Sequence, residues 1–257
     1  MILILCHLHD AEAAWLAQRL RRLAPAAAVR LVSAEELLYA RRVVHTLGSG
    51  PAAFTLTLQS GAELDSRAID VVVNRLCLLD PMLWQGPDSK QYLYVLQEIN
   101  ALYLSMLHCL PAGRLYNAPS AVALGGRALS PAEWQLLAVR AGLPIPPGWP
   151  PATASAPMEP AAPAAQVLVL DDEVLGEVPP GIEPDACRQL ARLAGLRLLE
   201  LHFARPGAGF ALADATVFAA LHRYGNAPAL HFLSLTTTRD GADLGNSERA
   251  ARGALAG

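Results

Sequence analysis

The stretch "CRQLARLAGLRLLELHFARPGAGFALADATVF" (Cys187–Phe218) decides how the C-terminal half of this chain folds. Residues 184–194 read as a helix that runs up to the Ala194-Gly195-Leu196 turn. Two strands follow, "LRLLELHFA" and "GFALADATVF", joined by the turn at "RPGAG". Just upstream, "QVLVLDDEVLGEVP" reads as a hairpin across Asp171 and Asp172, with Glu173 completing an acidic, solvated tip. Residues 166–238 therefore read as a small α+β unit.

Working toward the N-terminus, the pattern changes to alternating strands and helices. "MILILC" is a buried first strand, and Asp10 caps a helix through "AEAAWLAQRLRRL". "AVRLVSAEEL" gives a strand followed by a turn, and "AFTLTLQSG" alternates like a strand. "IDVVVNRL" is an apolar run of the kind found in parallel sheets. "KQYLYVLQEINALYLSMLHCL" repeats apolar residues at helical spacing, and "RLYNAPSAVALGG" follows as a short strand and loop. In "SPAEWQLLAVRAGLPIPP" (Ser130–Pro147), Ser130 is the N-cap, Pro131 takes the first helical position, and Glu133 completes a capping box. Residues 1–149 are thus expected to form an α/β domain with a mainly parallel sheet covered by helices. Between the two units, "PPATASAPMEPAAPAA" (150–165) reads as a linker, and 239–257 as a loose tail.

Composition narrows the functional classes. The chain has 257 residues and is 53% hydrophobic, yet no apolar run approaches the length that spans a bilayer. Its net charge of −3 and the lack of a basic, aromatic stripe argue against nucleic acid as a partner. Cys6, Cys77, Cys109 and Cys187 form no C-x-x-C pair and read as reduced thiols of a soluble, cytoplasmic protein. Lys90 is the only lysine, in an Ala-, Pro-, Arg- and Leu-rich chain that suggests a GC-rich coding background.

With these pieces placed, the chain resembles the ATP-grasp carboxylate–amine ligases, in the branch of ribosomal-protein glutamate ligases and microviridin-type peptide ligases. The similar segments are "LQSGAELDSRAIDVVVNRL", "LQEINALYLSMLHCLPAGRLYNAPSA" with "EWQLLAVRAGLPIPP", and the Cys187–Phe218 stretch. The resemblance implies activation of a carboxylate by ATP to an acyl phosphate that an amine then attacks, with cations holding the phosphates. It also exposes departures. Pro131 stands where the family has a nucleotide-gripping lysine, and Arg127, four residues upstream, is the nearest substitute. The Pro/Ala linker fills the space of the family's lid, with neither lysine nor Gly-rich loop between Gly148 and Gly176. The family's magnesium acids fall on His202, Asp214 and Thr216, and magnesium prefers hard oxygen ligands.

These departures make the expected protein a degenerate ligase with no cofactor, serving as a scaffold or accessory subunit for a peptide- or amino-acid-modifying enzyme. Its expected partners are another protein or a second copy, with a peptide or amino-acid ligand. ATP and magnesium enter only in an alternative, in which a partner chain completes a site containing Arg127 and Asp214. Asn74 and Arg75 end a strand at an edge that can face a ligand, where Arg75 either clamps a carboxylate or pairs with Glu98. A third reading takes Cys6, His7, His9 and Asp10 ("CHLHD") as metal ligands, against which Asp10 is simply an N-cap. His108-Cys109 lacks an orienting third group for catalysis, and Tyr92, Tyr94 and Tyr103 read as packing.

Overall fold

The computed structural model describes residues 1–48, 50–81, 89–127, 129–146, 163–207 and 209–236. The expected linker lies outside these residues except for its last three positions, and the expected tail lies outside them entirely. The fold is a mixed α/β arrangement of one parallel and two antiparallel sheets.

The parallel sheet has the order β2-β1-β6-β7. β1 (Ile2–Cys6) is buried along its whole length and is flanked by β2 (Val29–Ser33) and β6 (Val71–Asn74), with β7 (Leu115–Tyr116) beyond β6. Its apolar run is explained by this position: both faces of a central parallel strand are covered. α1 (Ala11–Leu23) begins where the Asp10 carboxylate accepts the Ala13 N–H at 3.0 Å. The expected turn after β2 is instead a short helix, α2 (Ala34–Leu38), nucleated by a Ser33–Glu36 capping box.

A three-stranded antiparallel sheet comprises β3 (Arg42–Thr46), β4 (Ala53–Thr57) and β5 (Glu63–Asp65). β4 buries Phe54 and Leu56 in strict alternation. β3 is an edge strand whose Val43 and Val44 are both exposed, so the sequence carries no alternation to reveal it. α3 (Ser89–His108) covers the inner face of this region. Its Tyr103, Met106 and Leu107 pack with Leu3, Leu5 and Val72.

The third sheet has the order β11-β10-β8-β9, formed by β8 (Ala165–Leu170), β9 (Glu173–Leu175), β10 (Leu198–Ala204) and β11 (Ala211–Thr216). One face, with Val167, Val169, Leu199, Leu201 and Phe203, lies against α4 (Pro131–Ala141) and α5 (Pro184–Ala194). From the other face Leu168, Leu170 and Leu198 share a core with Ile2, Ile4 and Val73 of the parallel sheet. Phe232, on a helix over 227–236 (α6), is fully buried in the same core. The parallel sheet and the third sheet therefore share one buried apolar cluster.

Candidate functional site

The hairpin of β10 and β11 sets the site. His202 pairs with Asp214 and Glu200 with Thr216, so these four side chains occupy adjacent rungs of one sheet face. The intervening Leu199, Leu201 and Phe203 point the opposite way, into the core beneath α4 and α5. Period-two alternation thus gathers three resemblance-derived positions, His202, Asp214 and Thr216, and adds a fourth residue, Glu200, that sequence reasoning missed. The signal was present: an acid inside the apolar run "LLELHFA", two residues from His202.

Glu200 is only 2% exposed. His202 Nε2 lies 3.1 Å from its Oε2, the Tyr224 hydroxyl donates to its Oε1 at 2.7 Å, and the Ala220 N–H donates to Oε2 at 3.2 Å. Burial pushes the Glu200 carboxyl up, but these three hydrogen bonds outweigh it and hold the group below its ordinary value. Burial and the bond to Glu200 push the Tyr224 phenol upward. Both Glu200 oxygens and the imidazole Nε2 are consumed internally. The residues present therefore do not fit a magnesium ion, since Asp214 is left as the one carboxylate of the set without a hydrogen bond or ion pair among the described residues.

Beside this ladder, α4 and β11 enclose a cavity of about 250 Å³. Leu129, Pro131, Trp134, Ile145 and Leu212 supply its apolar lining, and Gln135 and Asp214 are the polar residues along it. The Leu212 N–H donates to the Pro144 carbonyl at 2.8 Å, tying the extended exit of α4 to β11 and fixing the wall spacing. Pro131 and Asp214, distant in sequence, thus line one space. Among the described residues, no lysine or arginine lines it. Arg127 does not substitute there: its guanidinium lies 4.0 Å from Glu133 on the exposed start of α4. Glu133 in turn accepts the Ser130 N–H at 2.8 Å, closing the capping box that the sequence predicts. The Ser130 N–H and hydroxyl hold the Glu133 carboxyl below its usual range.

The other candidate residues are drawn into structural bonds. Arg75, 5% exposed, donates from Nε to Asp10 at 2.7 Å and from a terminal nitrogen to the Ala219 carbonyl at 3.0 Å. The expected pairing with Glu98 is therefore corrected to Asp10. The ends of β1 and β6 lie together at one sheet edge, whereas Glu98 is exposed on α3. Asn74 donates to the Asn117 and Leu124 carbonyls, so Asn74, Arg75 and Glu98 do not form one ligand cleft. In "CHLHD", Cys6 is buried against the Val32 carbonyl and its thiol is pushed up to about 11 by burial. His7 Nε2 accepts the Cys77 N–H at 2.8 Å. Asp10 is held by Arg75 and Ala13, and His9 adopts a positive φ of 67°. Among the described residues, no group of three His, Cys, Asp or Glu side chains is placed to hold a metal ion.

The acidic hairpin tip also needs correction. Asp171 is bonded by Arg197 Nε at 2.5 Å, by His231 Nε2 at 2.8 Å and by the Tyr116 hydroxyl. Burial raises the Asp171 carboxyl, but those bonds and the Arg197 charge pull it well below its ordinary value. Arg197 also stacks 3.9 Å over the Tyr116 ring. Asn117 accepts the Arg197 and Leu198 N–H groups, each at 2.9 Å, and donates to the Leu198 carbonyl at 2.7 Å. This polar seam ties β7 and Asn117 to the start of β10 and to the β8–β9 turn. On the far side of the molecule's first core, Cys109 Sγ lies 3.1 Å from His45 Nε2, while His108 is exposed. Tyr103 is buried with its hydroxyl on the Leu37 carbonyl, Tyr92 donates to Asp80, and Tyr94 is exposed.

By sequence, no family model and no curated protein matches the chain. By structure it is similar to the ATP-grasp ligase PsnB complexed with a minimal precursor, magnesium and ADP. That likeness has a TM-score of 0.66 at 15% identity, covering 92% of this chain and 98% of that one. The macrocyclase MdnC of Microcystis aeruginosa MRC, bound with its precursor peptide MdnA, aligns with a TM-score of 0.61 at 13% identity over 91% of this chain and 99% of that one. A RiPP-associated ATP-grasp ligase of Chryseobacterium gregarium, in complex with ADP and a leader and core peptide, aligns with a TM-score of 0.57 at 12% identity, covering 86% and 90%. The chain has the fold of these ATP-grasp ligases.

Proposed function

We propose that this protein is a pseudo-ligase: an ATP-grasp fold that no longer turns over ATP and serves peptide modification as a binding or accessory subunit. The observation that carries the reading is the α4–β11 cavity, lined by Pro131, Asp214 and apolar residues and, among the described residues, by no lysine or arginine. A triphosphate needs cations and oriented donors around it, and the described lining of this cavity supplies no cationic side chain. The His202–Glu200 bond supports the same reading, because it occupies the rung that would present a magnesium acid. The peptide part of the proposal comes from the structural neighbours, which were captured with precursor peptides. A protein partner, either a second copy or a modifying enzyme, completes the proposed role.

The test is magnesium-dependent binding of labelled ATP to the isolated chain, with ADP release measured on supplying a precursor peptide. Absence of both is expected; saturable binding with turnover would overturn the proposal. A second reading, a ligase completed by a partner chain, is favoured by the ADP and magnesium held by PsnB. It predicts that ATP binding appears only after a partner is added, with Asp214 and Arg127 required for it.

A further inference from the structure

A sheet ends on a row of spare N–H and C=O groups unless something blunts that edge. The Arg21 guanidinium donates to the Val29 carbonyl on β2, and the Leu212 N–H of β11 is taken by the Pro144 carbonyl. β5 spans three residues, two of them acidic, and runs straight into a short 3-10 turn over Ser66–Ala68. β7 and β9 have only two and three residues. β3 is different. Its five residues pair in regular register with β4 and include no proline, lysine or acid.

Residues of a strand turn their N–H and C=O groups to alternate sides. In β4 the Phe54 N–H goes to the Ser66 hydroxyl at 3.0 Å, and just beyond the strand the Leu58 N–H goes to the Ala62 carbonyl at 2.9 Å. Thr55 and Thr57 therefore serve β3, and their register partners Val44 and Arg42 face β4. That leaves Val43 and His45 with outward N–H and C=O groups, bonded to no other described residue. These two residues are symmetric about Val44, and the symmetry selects the occupant. When a second β3 lies antiparallel about a two-fold axis through Val44, each Val43 falls opposite His45 of the other copy and exchanges both backbone bonds with it. Val44 then meets Val44 in the close, non-hydrogen-bonded position, with Cα atoms about 4.5 Å apart. Arg42 falls opposite Thr46, so no like charges are opposed. The same contact covers Val43 and Val44, which are 38% and 37% exposed.

We propose that β3 is a self-association edge, through which two copies of this chain pair along Arg42–Thr46 and merge their three-stranded sheets into one. This gives the second-copy partner of the proposed role a surface, and it holds whether or not the chain binds ATP.

The experiment is sedimentation equilibrium on the full chain from low to high micromolar concentration. A reversible dimer is expected, its modest affinity matching a small interface. Val44→Lys and Val44→Glu, at an exposed position, each set like charges on the axis and should weaken the dimer about tenfold. Mixed together, the two variants should form a heterodimer at least as tight as the parent dimer, a rescue that a folding defect cannot give. Val43→Pro removes only an outward N–H, so it should abolish the dimer while the β3–β4 ladder and the unfolding midpoint are kept. A parent that stays monomeric, a Val44→Lys chain that dimerises as the parent does, or a mixture without rescue overturns the proposal. Each of these outcomes leaves the pseudo-ligase reading to its own test, magnesium-dependent ATP binding.

Discussion

Breaking the buried Arg75–Asp10 pair tests the energetic link between the parallel sheet and its first crossover. Asp10 performs two tasks: its Oδ1 caps α1 through Ala13, and its carboxylate faces a guanidinium that is 5% exposed. Asp10→Ala removes both. Leaving a buried charge without its counter-ion costs about 3–5 kcal/mol, and losing the cap adds about 1 kcal/mol. Asp10→Asn retains an N-cap oxygen and isolates the charge contribution, so it should fall near the lower end of that range. Replacing the pair together, as Asp10→Asn with Arg75→Met, should recover much of the loss, because no charge is then stranded. Urea unfolding followed by intrinsic fluorescence reads the midpoint, with the slope checking that the transition is unchanged. If Asp10→Asn costs less than about 1 kcal/mol, or the double variant is no better than the sum of its parts, Arg75 is not relying on Asp10 and the assignment is wrong.

Further expectations concern other groups. The folded Asp171 carboxyl is depressed below its unfolded value near 3.8, so its contribution to stability is present above that pH and is lost as pH falls toward the folded value. Unfolding midpoints measured from neutral pH downward should therefore decline more steeply in the parent than in Asp171→Asn, and identical acid limbs would refute this. Burial raises the Cys6 and Cys187 thiols to about 11, so at neutral pH iodoacetamide should label exposed Cys77 first and reach those two only on unfolding, as mass mapping can follow. Pro131→Lys keeps the Ser130–Glu133 box and should change stability by less than about 1 kcal/mol. On the pseudo-ligase reading it does not restore ATP binding by calorimetry, and recovered binding would mean the lysine was the sole deficiency. Phe232→Ala, emptying a fully buried site in the core shared by the parallel and third sheets, should cost about 3–5 kcal/mol in chemical unfolding. A loss below about 1 kcal/mol would detach α6 from that core.

What the sequence determined by itself was what neighbouring residues can satisfy among themselves. Ser130 and Glu133 close a capping box within one turn, Asp10 caps α1, and the hairpin across Asp171 and Asp172 needs only its own two strands. Motif resemblance went further, assigning Pro131, His202, Asp214 and Thr216 to one site, because strand period and helix starts survive where chemistry changes. Tertiary structure alone decided the partners. Arg75 meets Asp10 across 65 residues, and Asp171 is drawn from an apparently solvated tip into Arg197, Tyr116 and His231. Glu200 reads as an ordinary strand residue until Tyr224 and Ala220 arrive beside it. β3 escapes sequence detection because its apolar side chains remain exposed at an edge. The physical reason is common to these cases: backbone groups are satisfied locally by geometry, whereas a buried charge takes whichever partner the packing of distant strands brings within reach.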